Sequence, residues 1–134
     1  MKTAPAFIDS NVLIYAASDD PRAAIAEGLM TVGCVTSVQA LNEFATVARR
    51  KLKMSWVEVR SAIDVMRVLF RVIAPIDLAI HTDGLRLAER YGFAFYDALM
   101  IASALRLECK TFWSEDMQHG MVVDKTLIIK NPFK

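Results

Sequence analysis

Cysteine is scarce: Cys34 and Cys109 are the two in 134 residues, far apart and without metal-type spacing. That excludes a disulfide-dense scaffold and a cysteine zinc site. Two buried thiols in a reducing cytosol are the plain reading, which places the chain in the cytoplasm, while a single bridge between them stays open. Histidine is as sparse. His81 and His119 have no partners at the spacing of a zinc-binding helix. No uncharged apolar run reaches the roughly 18 residues of a membrane span. The start, "MKTAPAFIDSNVLIYAAS", faintly imitates a signal peptide, but Asp9 and Asn11 interrupt the part that should be uniformly apolar. Five glycines and four prolines gather into no linker, and no repeat is visible, so residues 1–134 read as one domain. A formal net charge of +1 points by itself to no polyanionic partner.

What is present is apolar: 54% hydrophobic residues against 23% charged. Such a chain is compact and folded, and its length buries roughly two-thirds of the unfolded surface. Residues 4–9 read as a short strand stopped by Asp9-Ser10-Asn11, with a helix over "NVLIYAAS". Pro21 suits the first turn of a second helix that runs to Gly33. "CVTS" reads as a strand and Ser37 as the cap of a helix over 37–53. That helix carries one stripe of Val38, Leu41, Ala45, Ala48 and Leu52 and another of Ala40, Phe44 and Val47, which predicts extensive burial. Ser55 and Glu58 form a capping box for the next helix. "RVIAPI" is a third strand, and Asp77 and Gly92 bracket a helix. "FYDALMIASALRLE" is a nearly all-apolar helix, "CKTFWS" a fourth strand and "KTLIIK" a fifth. Strands alternating with helices predict a mostly parallel α/β sheet, whose ligands collect at the carboxyl ends of the strands.

Four acids are exceptions to their surroundings. Asp9 ends the first strand, Glu43 sits in a largely apolar helix, Asp97 opens the most apolar helix, and Asp116 follows the fourth strand in "WSEDMQHG". Each has an ordinary explanation as a cap, a half-exposed side chain or a turn residue. Brought together at one sheet edge, they would repel and push one another's pKa upward. A hard divalent cation removes that conflict, because Mg²⁺ or Mn²⁺ prefers oxygen ligands and leaves room for phosphate oxygens. One or two such ions are able to activate water for phosphodiester displacement.

In this order and over this length, "FIDSNVLIY", "LNEF", "FYDALMIASAL" and "SEDMQHG" resemble the PIN-domain ribonucleases, in particular the VapC-type toxins of toxin–antitoxin pairs. The resemblance runs from about Phe7 to the last strand. It implies a three-layer α/β/α sandwich with a mostly parallel central sheet of four or five strands. It also implies cleavage of RNA by a Mg²⁺- or Mn²⁺-bound water, a cognate antitoxin and a homodimer. Carried over by motif, Asp9, Glu43, Asp97 and Asp116 match the acidic quartet, and Ser10, Asn11 and Ser114 its polar supports. The fourth motif departs from the usual Thr-Asn-Asp or Thr-Ser-Asp, reading Ser114-Glu115-Asp116, so Glu115 competes with Asp116 for the fourth place.

Removing those four acids from the 15 leaves eleven against 16 basic residues, a surplus that suits a polyanion. Arg49, Arg50, Lys51 and Lys53 concentrate it at one helix end, a weak RNA-binding signal because cations favour helix C-termini anyway. Trp56, Trp113 and Tyr96 are able to stack on bases but more often pack. Trp56, Val59, Ile63, Met66 and Phe70 share a helical stripe, read first as core and second as a groove for a partner's amphipathic segment. Two rivals stand beside the nuclease. One is an aspartyl phosphatase, disfavoured because Asn11 stands where a second Asp belongs. The other is a PIN-like module that binds RNA or protein without cutting.

Overall fold

The strands of this protein are short, and β1 stops where Asp9 follows an apolar triplet. The computed structural model describes residues 4–134, so the first residues of the signal-like stretch lie outside it. β1 (Ala6–Ile8) leads into α1 (Ser10–Ala16) and α2 (Ala23–Met30). β2 (Thr36–Ser37), α3 (Val38–Arg50), α4 (Trp56–Leu69) and β3 (Ile73–Ala74) follow. α5 (Leu78–Tyr91), α6 (Phe95–Arg106), β4 (Thr111–Trp113), β5 (Val122–Val123) and β6 (Leu127–Lys130) complete the chain.

β1, β4 and β6 pair in parallel, with Phe7 opposite Phe112 and Phe112 opposite Ile129. β5 extends this four-stranded sheet antiparallel to β6. On the other side of β1, a parallel bridge from Phe7 to Val35 brings in the parallel pair β2–β3. Its bonds run from Ile8 N–H to Val35 C=O and from Val35 N–H to Ala6 C=O, both 2.9 Å. Phe7 and Ile8 point to opposite faces of the sheet, and both are fully buried, so helices cover each face. Phe7 stacks on Phe112 with ring centroids 4.9 Å apart. Fully burying one such ring stabilises the fold by roughly 2–3 kcal/mol. The mostly parallel sheet flanked by helices is the architecture the sequence predicts.

Helix ends follow local chemistry. The Ser37 hydroxyl accepts from Ala40 N–H at the start of α3. Ser55 and Glu58 close a reciprocal capping box on α4. Asp77 caps α5, which Gly92 ends at φ +75°, a conformation glycine adopts without a Cβ penalty. α6 buries seven consecutive residues, Ala98 to Ala104. α5 meets α6 at Gly84, where a Cβ would lie 2.8 Å from Leu99 Cδ2.

The structure departs from the sequence reading at four points. α2 starts at Ala23, not near Pro21, because the Asp20 carboxylate binds the backbone and guanidinium of Arg22 and holds the preceding turn. β5 was not foreseen; two residues carry too little pattern to announce a strand. Trp56 leaves the core stripe of α4. Val59, Met66 and Phe70 are buried, but Trp56 is 58% exposed beneath the Arg49 guanidinium, 4.5 Å from its ring centroid. Likewise Val38 is exposed, and α3 buries Gln39, Ala40, Phe44 and Ala48 instead.

Candidate functional site

β1 runs into α1 through Asp9, and the next two residues turn back on its carboxylate. Ser10 N–H donates to Asp9 Oδ1 at 2.6 Å, and Ser10 Oγ donates to the same oxygen at 3.2 Å. Asp9 Oδ2 accepts from Ser114 Oγ at 2.7 Å and from Asn11 Nδ2 at 3.2 Å. Ser114 comes from the end of β4, which pairs with β1 in register and sets its hydroxyl beside Asp9. Asp9 is 3% exposed and Ser114 fully buried. This exceeds an ordinary helix cap: donors from Ser10, Asn11 and Ser114 converge on one buried carboxylate, and no cationic side chain among the described residues joins them.

Two of the other three acids, Glu43 and Asp116, approach through the same polar residues. The one Ser10 hydroxyl proton is shared between Asp9 and Glu43, whose Oε1 is the nearer at 2.8 Å, and Gln39 Nε2 donates to Glu43 Oε2 at 3.0 Å. Asn11 Nδ2 lies 3.3 Å from Asp116 Oδ2. Asp97, in the first turn of α6, is half-buried and acts through its field. Burial pushes the Asp9 carboxyl up to about 7, with Asp97 and Glu43 adding to the rise against the hydrogen bonds of Ser114 and Ser10. Burial also raises Asp97, followed by the charges of Glu43 and Asp116. Among the described residues none of the four acids forms an ion pair with Lys, Arg or His. Such a site favours whatever neutralises it, a proton or a metal cation.

The family model described as the PIN domain matches residues 6–121. The chain belongs to the PIN-domain family. Solved structures with this fold include VapC20 of Mycobacterium tuberculosis, described as a sarcin-ricin loop cleaving toxin. It has a TM-score of 0.68 and 18% identity over 83% of this chain and 89% of that one. A toxin–antitoxin complex from Klebsiella pneumoniae gives a TM-score of 0.73 and 16% identity over 96% and 98% of the two chains. VapBC2 of Rickettsia felis, bound to a DNA fragment from its promoter, gives 0.67 and 16% over 94% and 97%. A search of curated proteins found no match.

Beside Glu43 and Asp116, the PIN domain opens a cleft of about 790 Å³, which Glu115 also lines; Asp9 and Asp97 are not among its lining residues. One wall is the polar face of α3, with Gln39, Asn42, Glu43 and Thr46, and Lys51 stands at its far end. Tyr96, 62% exposed, lines it beside Asp97. Of the basic run, Lys51 alone lines this cleft. Arg49 turns to the Met54 carbonyl and to Trp56, while Arg50 and Lys53 are exposed elsewhere. Gln39 is a residue that sequence reasoning missed. Its one signal was the i,i+4 spacing to Glu43. Tyr15 and Arg22 were missed as well. Tyr15 OH donates to Glu115 Oε1 at 2.6 Å, and Arg22 reaches Glu115 Oε2 at 3.1 Å.

The donor set suits a hard cation: oxygens only, crowded and without a counter-ion. Among the described residues no three Asp, Glu, His or Cys side chains stand close enough to hold one metal ion together. A cation here would therefore take one or two carboxylates directly and complete its shell with water, as Mg²⁺ commonly does.

Proposed function

We propose that this PIN domain, one unit over residues 1–134, is a metal-dependent endoribonuclease and the toxin of a toxin–antitoxin pair working in the cytoplasm. The observation that carries the reading is the group of four carboxylates sharing one electrostatic field with no basic partner among the described residues. Asp9, Glu43, Asp97 and Asp116 would serve Mg²⁺ or Mn²⁺, as one or two ions, with one or two carboxylates bound directly and the others reaching the ion through water. Bound there, the cation would supply an acidified water and neutralise charge developing on phosphate oxygens. Ser10, Asn11 and Ser114 orient the carboxylates through the hydrogen bonds described above, and Gln39 holds the far oxygen of Glu43. Lys51 meets backbone phosphate at the end of the α3 wall, and the exposed Tyr96 ring offers a stacking surface for an unpaired base.

No helix among the described residues is long and apolar enough to cross a membrane. A groove of about 380 Å³ runs between Ala16 and Ala17 at the end of α1, Met30 of α2, and Ala62, Val65 and Leu69 of α4. It supports an antitoxin's amphipathic segment as occupant, in keeping with the toxin–antitoxin complexes that share the fold. A homodimer is part of the same proposal.

The test is cleavage of a single-stranded RNA by the purified chain with Mg²⁺ or Mn²⁺, against EDTA and against Asp97→Asn. Metal-dependent cutting lost in the variant supports the reading. Equal, metal-insensitive traces from both proteins would assign the activity to a contaminant and leave a non-cutting binding module.

A further inference from the structure

We propose that Glu115 stands outside the acid set and is a positioning residue: Tyr15 and Arg22 hold its carboxylate, and this fixes Asp116 against Asn11. The inference rests on the nuclease reading for what Asp116 does, and on hydrogen-bond geometry for where it sits.

Ser114, Glu115 and Asp116 are consecutive, yet their side chains go to three places. Ser114 turns inward to Asp9 at 2.7 Å. Asp116 meets the Asn11 amide at 3.3 Å. Glu115 instead runs along α1, where Oε1 takes the Tyr15 hydroxyl at 2.6 Å and Oε2 takes Arg22 at 3.1 Å. Its backbone N–H donates to Asn11 Oδ1 at 3.1 Å. Asn11 and Tyr15 are four residues apart on α1 and so share a face. The segment after β4 is thus pinned to that face at two points one turn apart.

The clamp is itself built in. Arg22 is held by Asp20 through contacts of 2.9 and 2.8 Å, and its guanidinium lies 4.3 Å from the centre of the Tyr15 ring. Phe133 packs edge-on against the same ring at 4.8 Å. Glu115 also differs electrostatically from its neighbours. It has a guanidinium partner, whereas Asp9, Glu43, Asp97 and Asp116 have no basic partner among the described residues. An acid held by a hydroxyl and a guanidinium and turned along α1 has little reason to share a cation with Asp9. What it does is hold the chain to α1 at Asn11, Asp116's anchor, and again one turn further on at Tyr15.

A ligand and a clamp respond differently to substitution. Glu115→Gln keeps an oxygen for Tyr15 and removes the carboxylate charge. Glu115→Ala and Tyr15→Phe break the clamp. The chain has three asparagines, so selective ¹⁵N labelling resolves the Asn11 side-chain amide without metal or activity. In EDTA, Glu115→Ala and Tyr15→Phe should move the Asn11 signal while Asn42 and Asn131 stay in place, and Glu115→Gln should leave it near wild type. Thermal melts should show that the double variant loses no more than the worse single one, since both break one interaction. Mn²⁺ titration should find Glu115→Gln within about threefold of wild type and Glu115→Ala about tenfold weaker, the scale of lost supporting contacts. The proposal is overturned if Glu115→Ala leaves Asn11 unmoved, if the melting losses add, or if Glu115→Gln binds Mn²⁺ as poorly as Asp116→Asn. If wild type neither binds Mn²⁺ nor cuts RNA, the nuclease reading falls. The Asn11 signals and the melts still decide the clamp in that case.

Discussion

Replacing Asp9 with asparagine should stabilise the metal-free protein at neutral pH, although it removes a buried, fully hydrogen-bonded side chain. Folding raises the Asp9 pKa from an ordinary 3.8 to about 7, chiefly through burial. At about 1.4 kcal/mol per tenfold change in proton affinity, holding it ionised costs the fold about 4 kcal/mol once the pH exceeds 7. The sign follows from proton binding. The folded state holds the proton more tightly than the unfolded chain, so this contribution to stability is intact below about pH 4 and lost as pH rises through 7. Asparagine does not titrate but presents an NH₂ where Asp9 accepts from Ser10, Asn11 and Ser114, a loss of about 1–2 kcal/mol. In EDTA, Asp9→Asn should therefore melt below wild type at pH 4, by about 3–8 °C. At pH 8 it should melt above wild type by about 2–3 kcal/mol. At about 3–4 °C per kcal/mol for a chain of 134 residues, the gain is about 6–12 °C. Paired melts across that range read the difference directly. A gap that stays constant from pH 4 to pH 8 would show that Asp9 does not carry the burden assigned to it.

Millimolar Mg²⁺ or Mn²⁺ should raise the wild-type melting temperature, by about 2.7 kcal/mol at a hundredfold excess over Kd, and raise Asp97→Asn less; identical shifts would count against Asp97 as a ligand. Cys34 and Cys109 are free, and burial pushes their thiols up to about 11 and about 12. Maleimide at pH 8 should thus label them only as the chain unfolds, and rapid labelling of the folded protein would contradict that burial. Ser55→Ala removes one arm of the α4 capping box and should cost about 1 kcal/mol, or about 3–4 °C, with no change in cation affinity.

Features governed within four residues are legible in the sequence. Ser55 with Glu58, and Asp77 with Gly92, mark helix ends because backbone groups there need a partner that only nearby side chains supply. Asp9, Glu43 and Asp97 draw notice because each is an acid among apolar neighbours. Their meeting, by contrast, depends on β1–β4 register and on the angle of α3 and α6, which no local pattern encodes. Gln39 passes unnoticed because a lone amide on a helix looks like any surface residue until Glu43 is seen to need it. The basic run separates for a related reason. It crosses the end of α3, where the chain turns away, so adjacency in sequence ceases to mean a shared face. Trp56 sits at the first position of α4, where apolar spacing no longer guarantees burial.

The outermost strands, β3 and β5, are two residues long. A margin that brief exposes few free backbone donors and acceptors, so another chain gains little by annealing to it. Fibre-like stacking is thereby discouraged. A companion chain would instead have to grip helix flanks and side chains, with shape and apolar fit in place of borrowed main-chain ladders.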